Sequence, residues 1–329
     1  QKAYFYWGSG IDEPNPEAFW RVRKACLHME KLGPDMRHVV TSRPWPELYG
    51  YVDTWCPPIY EFVPQEARAR QKAGDRFWWY TFAAPQHPSP NFHIDGDSIE
   101  HRILWWMQKM FDDVIEGNLY WATTIFRKYD GVRYVDTDPW QDPRSYPGAN
   151  GDGRLFYPGT KVGIDGPVPS IRLALIREGI EDYEYMWLLE QKTKTVQQKL
   201  GLENFDPQKR VNNTVSVLVA NDGTFERNWD RDPEKLFARR QWVAGQILSI
   251  EESPLLLYDY QLSPNGRNVT FSGRVEKGAV LFVNEKKVAA DQQGDFSLTL
   301  PIEKGENEFL FRANLAGKEK LITETVVLR

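Results

Sequence analysis

The sequence predicts an α/β domain of parallel β/α units, arranged as a sheet or barrel, followed by a small all-β sandwich of immunoglobulin type. Strand-like and helix-like segments alternate from the first residues. Beyond about Leu255 the texture changes to short alternating runs separated by turn signals. The 329 residues are 41% apolar and 26% charged, the balance of a folded chain rather than a disordered one.

The elements follow in order. Residues 3–7 (AYFYW) read as a strand, and Pro16 then stands near the start of a helix that closes at Gly33. RHVVTS (37–42) and YVDTW (51–55) read as the second and third strands, with Pro57 and Pro58 closing the latter. QEARARQKAG (65–74) is helical, and RFWWYTF (76–82) is a strand rich in β-favouring aromatics. A long helix is expected over 98–117 and a fifth strand over 119–126. Residues 128–168 form a long irregular stretch dense in Asp, Pro and Gly, a length that inside a compact domain is usually functional. A strong helix starts near Ser170, and helical sequence continues to about residue 252. Turn signals at 264–266, 276–278, 292–295 and 304–307 punctuate the last part. The predicted domains are therefore 1–254 and 255–329.

A net charge of −5 gives no electrostatic reason for a nucleic-acid partner or an anionic membrane surface. No run approaches the roughly 18 apolar residues of a membrane helix. Cys26 and Cys56 are too few for a disulfide framework, and their aromatic-rich surroundings favour two buried thiols. The chain begins at Gln1 without a charged or apolar leader, which reads as a processed or truncated piece.

The first chemical candidate is Asp12-Glu13, directly after the first strand. Residues at the C-terminal ends of barrel strands face the active site. Neighbouring strand residues point to opposite faces, so both carboxylates reach one site only where the backbone leaves strand geometry. Gly8 and Gly10 permit that break, and Pro14 holds Glu13 extended. The competing reading is a solvated loop whose acids merely favour the following helix N-terminus. The second candidate is the set of aromatics at strand ends. Flat rings stack on the C–H faces of sugars, and of the thirteen tryptophans most are expected in the core. Trp55, Tyr80 and Trp121 are the pocket candidates. Gly151-Asp152-Gly153-Arg154 lacks the lysine of a phosphate loop and the spacing of a calcium loop, and reads as a shaped loop over the site. His87 and His93 match no zinc motif. No metal and no cofactor is expected.

The segments IDEP, FWWYTFAAPQHPSPNFHID, HRILWWMQKMFDDVIEGNLYWAT and GDGRLFYPG, followed by PSIRLALIREGIEDYEYMWLL, resemble in this order the catalytic domain of glycoside hydrolase family 123. That family holds the β-N-acetylgalactosaminidases and a larger uncharacterised set. The likeness spans about residues 4–190, and RLALIREGIEDYEYMWLL is its most specific piece. The resemblance implies a TIM (β/α)8-type barrel, of which this chain carries only the C-terminal strands. It further implies a glycan substrate and retaining, substrate-assisted hydrolysis, outside the two-carboxylate scheme. Glu13 would be the general acid and base, and Asp12 would orient the 2-acetamido group. Trp55, Tyr80 and Trp121 would shape the acetamido pocket, and Asn91 would bind hydroxyls. About half the barrel precedes the acid pair in the family, whereas eleven residues do here, so a missing N-terminal portion or a second chain is expected to complete it. The C-terminal part resembles the Ig-like modules appended to bacterial glycosidases, which implies a secreted or periplasmic bacterial enzyme. Two alternatives stay open: a non-catalytic glycan-binding or assembly module, and a glycosidase of the same family acting on another sugar.

Overall fold

A computed structural model describes residues 4–6, 11–33 and 35–329. Ala3, Trp7, Gly8 and Gly10, which figure in the expected first strand and the break after it, lie outside the described residues. The chain divides into two compact units. One comprises residues up to Leu104 together with Phe111–Gly179, and the other Trp105–Met110 together with Ile180–Arg329.

The first unit is built on a parallel sheet of β1 (Tyr4–Tyr6), β2 (Arg37–Val40), β3 (Thr54–Trp55), β4 (Arg76–Thr81) and β5 (Ile115–Tyr120), in that spatial order. Each strand pairs with its neighbour in sequence, and β1 and β5 end the sheet. Helix α1 (Phe19–Leu32) connects β1 to β2 and buries Phe19, Val22, Ala25, Cys26 and Met29, a stripe at helical spacing. It ends at Gly33, whose N–H donates to the Met29 carbonyl at 2.7 Å. Helix α2 (Pro64–Gln71) starts on a proline, whose missing N–H costs nothing in the first turn. Helix α3 spans Glu100–Met110.

The fifth strand differs from expectation. It begins at Ile115 rather than 119, because a turn over Phe111–Val114 ends the helix early: the Val114 and Ile115 N–H groups both donate to the Phe111 carbonyl, at 2.9 and 2.7 Å. A register shift between Phe77 and Trp78 sets Trp78 opposite Gly117. There a Cβ would sit 3.0 Å from the Trp78 indole, so the glycine is what lets strand and ring approach. Residues 121–126 consequently leave the sheet for the loops above it. The long stretch after them folds into three small antiparallel pairs: β6 (Arg127–Tyr129) with β7 (Tyr134–Asp136), β8 (Arg144–Tyr146) with β9 (Ala149–Asn150), and β10 (Phe156–Pro158) with β11 (Pro167–Pro169).

In the second unit, α5 (Pro207–Val215) and α6 (Pro233–Ser249) each start on an Asp-Pro step. Asp206 and Asp232 accept from the N–H groups of Gln208 and Glu234, so each side chain caps its own helix. Helix α4 (Ile171–Leu200) crosses from the first unit; within the second, the Glu190 carboxylate on it accepts from the buried Lys109 ammonium at 2.7 Å. Two antiparallel sheets follow. One orders β12 (Leu256–Leu262), β13 (Asn268–Val275) and β16 (Asp295–Pro301); the other orders β15 (Lys286–Val288), β14 (Val280–Val283), β17 (Gly305–Leu315) and β18 (Lys318–Leu328). They share one core, in which Tyr258 stacks on Phe311 at 4.2 Å and Phe271 meets Phe309 and Phe311 edge-on. Compactness thus partitions the chain differently from a boundary at 254/255. The buried Glu324 carboxylate on β18 accepts from Arg239 on α6 and from Tyr258 on β12, which ties the helices to the sheets. Among the described residues, no helix is long and apolar enough to cross a membrane. Both cysteines are buried free thiols, and burial pushes Cys26 up to about 12.

His101 in α3 gives a pH prediction. Burial, helped by the Arg172 charge, pushes its imidazole down to about 4, and the ring stacks against Phe92. Above pH 6.5 the ring is neutral in both folded and unfolded chains. Between pH 6.5 and 4 only the unfolded chain takes up the proton, so stability falls as pH falls across that window, by up to about 3 kcal/mol. Urea titrations at several pH values check this. His101→Phe should flatten the acid limb, and an unaltered slope contradicts the assignment.

Candidate active site

The site is built on the C-terminal ends of the parallel strands. The loop carrying the acid pair is pinned to the end of β2: the Asp12 carbonyl accepts from the Thr41 N–H at 2.6 Å and the Thr41 hydroxyl at 2.8 Å. Residues 11–13 bend rather than continue the strand, as two adjacent acids sharing one site require. Each acid is met by a different phenol. Tyr80 at the end of β4 donates to Glu13 Oε1 at 3.0 Å, and Tyr6 in β1 donates to Asp12 Oδ2 at 3.4 Å. Burial first, then the nearby carboxylate charges, push Tyr6 up to about 12 and Tyr80 higher still. Both hydroxyls therefore stay protonated donors across the range in which a carboxylate titrates. Tyr80 stacks on Phe82 and packs with Val39 and Cys56 in an apolar cluster below.

Both acids line a cleft of about 660 Å³ whose far wall comes from residues 121–152. Its anchor is Asp152, fully buried, which accepts from Trp121 Nε1 at 2.9 and 3.0 Å and from the Tyr120 hydroxyl at 3.1 Å. Burial pushes the Asp152 carboxyl up, and the indole and phenol donors oppose this. Gly153 adopts φ +68°, and a Cβ there would lie 2.8 Å from the Trp121 ring, so glycine is needed on both counts. Two buried arginines hold the loop from behind. Arg154 donates to the carbonyls of Ile125, Asp142 and Arg127 at 2.7, 2.6 and 2.9 Å. Arg172, from the first turn of α4, donates to those of Phe92, Gly151 and Arg154. The glycine-flanked Asp152 seen in the sequence is a wall of the cleft.

Of the six residues singled out from the sequence, Asp12, Glu13, Tyr80 and Trp121 meet in this cleft and two do not. Trp55 is fully buried elsewhere, with its indole N–H donating to Asp75 at 2.6 Å and its ring edge-on to Tyr49. Asn91 is 1% exposed and its amide is spent on backbone: Nδ2 donates to the Phe82 and Pro85 carbonyls and Oδ1 accepts from the Phe92 N–H. It staples the 82–85 wall, with both amide hydrogens spent on backbone carbonyls. Sequence reasoning missed Tyr6, Tyr134, Ser145 and Tyr146, all of which line the cleft. The length of the 128–168 stretch was the only signal for the last three. Among the described residues, His87, Asp97 and Glu100 bring potential metal-ligand atoms within 4.8 Å of one another. His87 Nδ1 there lies 2.5 Å from the buried Glu100 carboxylate and ties the loop to the start of α3.

An α/β unit with paired acids and aromatics at its strand ends has the makings of a carbohydrate-active site, and the sequence pattern of the glycoside hydrolase 123 catalytic domain matches residues 9–189. That is more than half of the chain, which belongs to this family and carries a glycoside hydrolase domain. No curated protein sequence matches the chain. Solved structures similar to it include an FMN-binding β-glucuronidase from Facaelibacterium prausnitzii L2-6, at 10% identity and a TM-score of 0.27, covering 94% of this chain and 38% of the other. A protein described as a candidate β-galactosidase from Bacteroides fragilis shows 9% identity and a TM-score of 0.29, covering 99% of this chain and 40% of its own. The chain thus spans about two fifths of the length of either.

Proposed function

We propose that this cleft hydrolyses β-linked N-acetylhexosaminides, foremost N-acetylgalactosaminides, by a retaining, substrate-assisted route. The observation that carries the reading is that Asp12 and Glu13, adjacent in sequence, line one cleft while each accepts from its own tyrosine. Two neighbouring acids stand on the same side of a bound sugar. That arrangement suits one acid–base and one orienting group better than a nucleophile opposite an acid.

In the first step Glu13 gives its proton to the glycosidic oxygen as the bond to the anomeric carbon breaks. The acetamido oxygen of the sugar forms the new bond to that carbon, giving an oxazoline and a free alcohol. Asp12 accepts a hydrogen bond from the acetamido N–H and offsets the positive charge that develops there. Glu13, now a carboxylate, takes a proton from water, which opens the ring at the anomeric carbon and restores the β configuration. The Tyr80 hydroxyl keeps Glu13 aimed at both stages.

An aryl β-N-acetylgalactosaminide should be turned over and the matching aryl β-galactoside, which lacks the acetamide, should be inert. Asp12→Asn should lower kcat about 10²-fold while leaving the fold intact. A thiazoline mimic should inhibit. One observation favours a second reading: Asp152 lines the same cleft as a third carboxylate, from the loop opposite Asp12 and Glu13. Turnover of the galactoside would move the nucleophile there and end the substrate-assisted reading. No turnover of any aryl glycoside by the full-length protein would leave a glycan-binding module.

The open sheet supports a further part of this reading. Among the described residues its outer strands, β1 and β5, each pair on one side only. We take additional β/α units, from the same polypeptide or from a second chain, to complete a (β/α)8 barrel around the site. A secreted or periplasmic place suits an enzyme acting on glycans.

A further inference from the structure

The rim of the cleft carries aromatic rings that the chemistry above does not use. Tyr129 on β6 and Tyr146 on β8 stack with their planes 7° apart and centroids 5.2 Å apart. Tyr134 on β7 leans on Tyr129 at 5.4 Å. Tyr134 is 51% exposed and Tyr146 42%, whereas Tyr80 and Asp152, in the same cleft, are 3% and 0% exposed. Buried groups form the floor and exposed rings the rim.

The rings are held in place. The Tyr129 hydroxyl donates to the Gly131 carbonyl, and Asp130 Oδ1 accepts from the N–H groups of Val132 and Arg133, closing the β6–β7 turn. Asp142 accepts from Lys128 at 2.7 Å and from Arg144 at 2.8 and 2.9 Å, which joins the β6 hairpin to the β8 hairpin. A fixed array of exposed rings loses little entropy when a ligand covers it. Exposed aromatic surface kept in one arrangement beside a cleft marks a binding surface.

We propose that Tyr134 and Tyr146 form a platform for the sugar on the leaving-group side of the scissile bond and set the preference for a substrate that carries a pyranose there. This rests on the glycosidase reading and assigns two residues that determine its specificity. The cleaved sugar has to reach the buried floor, which leaves the next residue at the rim. A pyranose offers a flat C–H face to the ring faces and hydroxyls at its edge to the phenol oxygens. The surface is continuous with the cleft, since Tyr134 and Tyr146 line both.

Two substrates sharing the cleaved sugar test it: the methyl β-N-acetylgalactosaminide, and a disaccharide in which the same sugar is β-linked to galactose. Tyr134→Ala and Tyr146→Ala should each lower kcat/KM on the disaccharide about tenfold more than on the methyl glycoside, the ratio that ~1.4 kcal/mol of lost stacking gives. The Phe variants should keep most of the preference, because they keep the ring, and they guard against misfolding. Equal losses on the two substrates, or none on the disaccharide, overturn the platform. Wild-type turnover of either substrate tests the glycosidase reading separately. Calorimetric titration with the disaccharide and the methyl glycoside reads the platform even without turnover: disaccharide affinity above that for the methyl glycoside, lost in Tyr134→Ala, supports it, and equal affinities contradict it.

Discussion

Glu13→Gln should lower hydrolysis of an alkyl or disaccharide substrate by about 10³-fold, within the 10²–10⁴ range that a positioned acid–base supplies. The amide keeps the shape of the side chain and still meets the Tyr80 hydroxyl through its carbonyl oxygen, so the fold and ground-state binding should persist. On the proposed route, what it removes is the proton for the leaving oxygen and the base for water. A leaving group that departs without protonation separates these roles. With a dinitrophenyl glycoside the first step should proceed nearly normally, and the loss should fall on opening of the oxazoline. Steady-state and burst kinetics on the two substrates check this. Equal activity of variant and wild type on the alkyl substrate would remove Glu13 from the chemistry.

The second large effect is structural. Arg154→Met should destabilise the cleft wall by about 3 kcal/mol or more, because three backbone carbonyls inside the loop region lose their donor at once. Arg154→Lys should recover little, since a single ammonium cannot span three acceptors held by a planar fork. Hydrogen exchange is a local readout. The Leu155 and Phe156 amides bond to the Thr123 carbonyl at 2.9 and 3.1 Å, and both should lose protection in the variant. Glycosidase activity should fall with them, because Trp121 and Asp152 belong to the same wall. Intact protection would show that the loop holds without the guanidinium.

That Asp12 and Glu13 reach one cleft was legible because their adjacency makes a physical demand, a break in the backbone, that local residues can be checked against. Tyr80 and Trp121 were legible from their place at strand ends. The same rule failed at Trp55, since β3 has two residues and its indole is claimed by Asp75, a partner twenty positions away that no local pattern reveals. Asn91 failed for a related reason: a side-chain amide serves a turn as readily as a ligand, and here three backbone groups use it. The shift of β5 reflects the ambiguity of a short apolar run, which only the turn at Phe111 resolves. Tyr6, Tyr134 and Tyr146 enter the cleft through tertiary packing, and nothing in their spacing marks them.

Proton NMR of the first-formed sugar decides whether the anomeric configuration is retained. With an aryl β-N-acetylgalactosaminide and the full-length protein, the β-anomer should appear first and the α-anomer only later by mutarotation. Appearance of the α-anomer first would require direct attack by water and would rule out the oxazoline route.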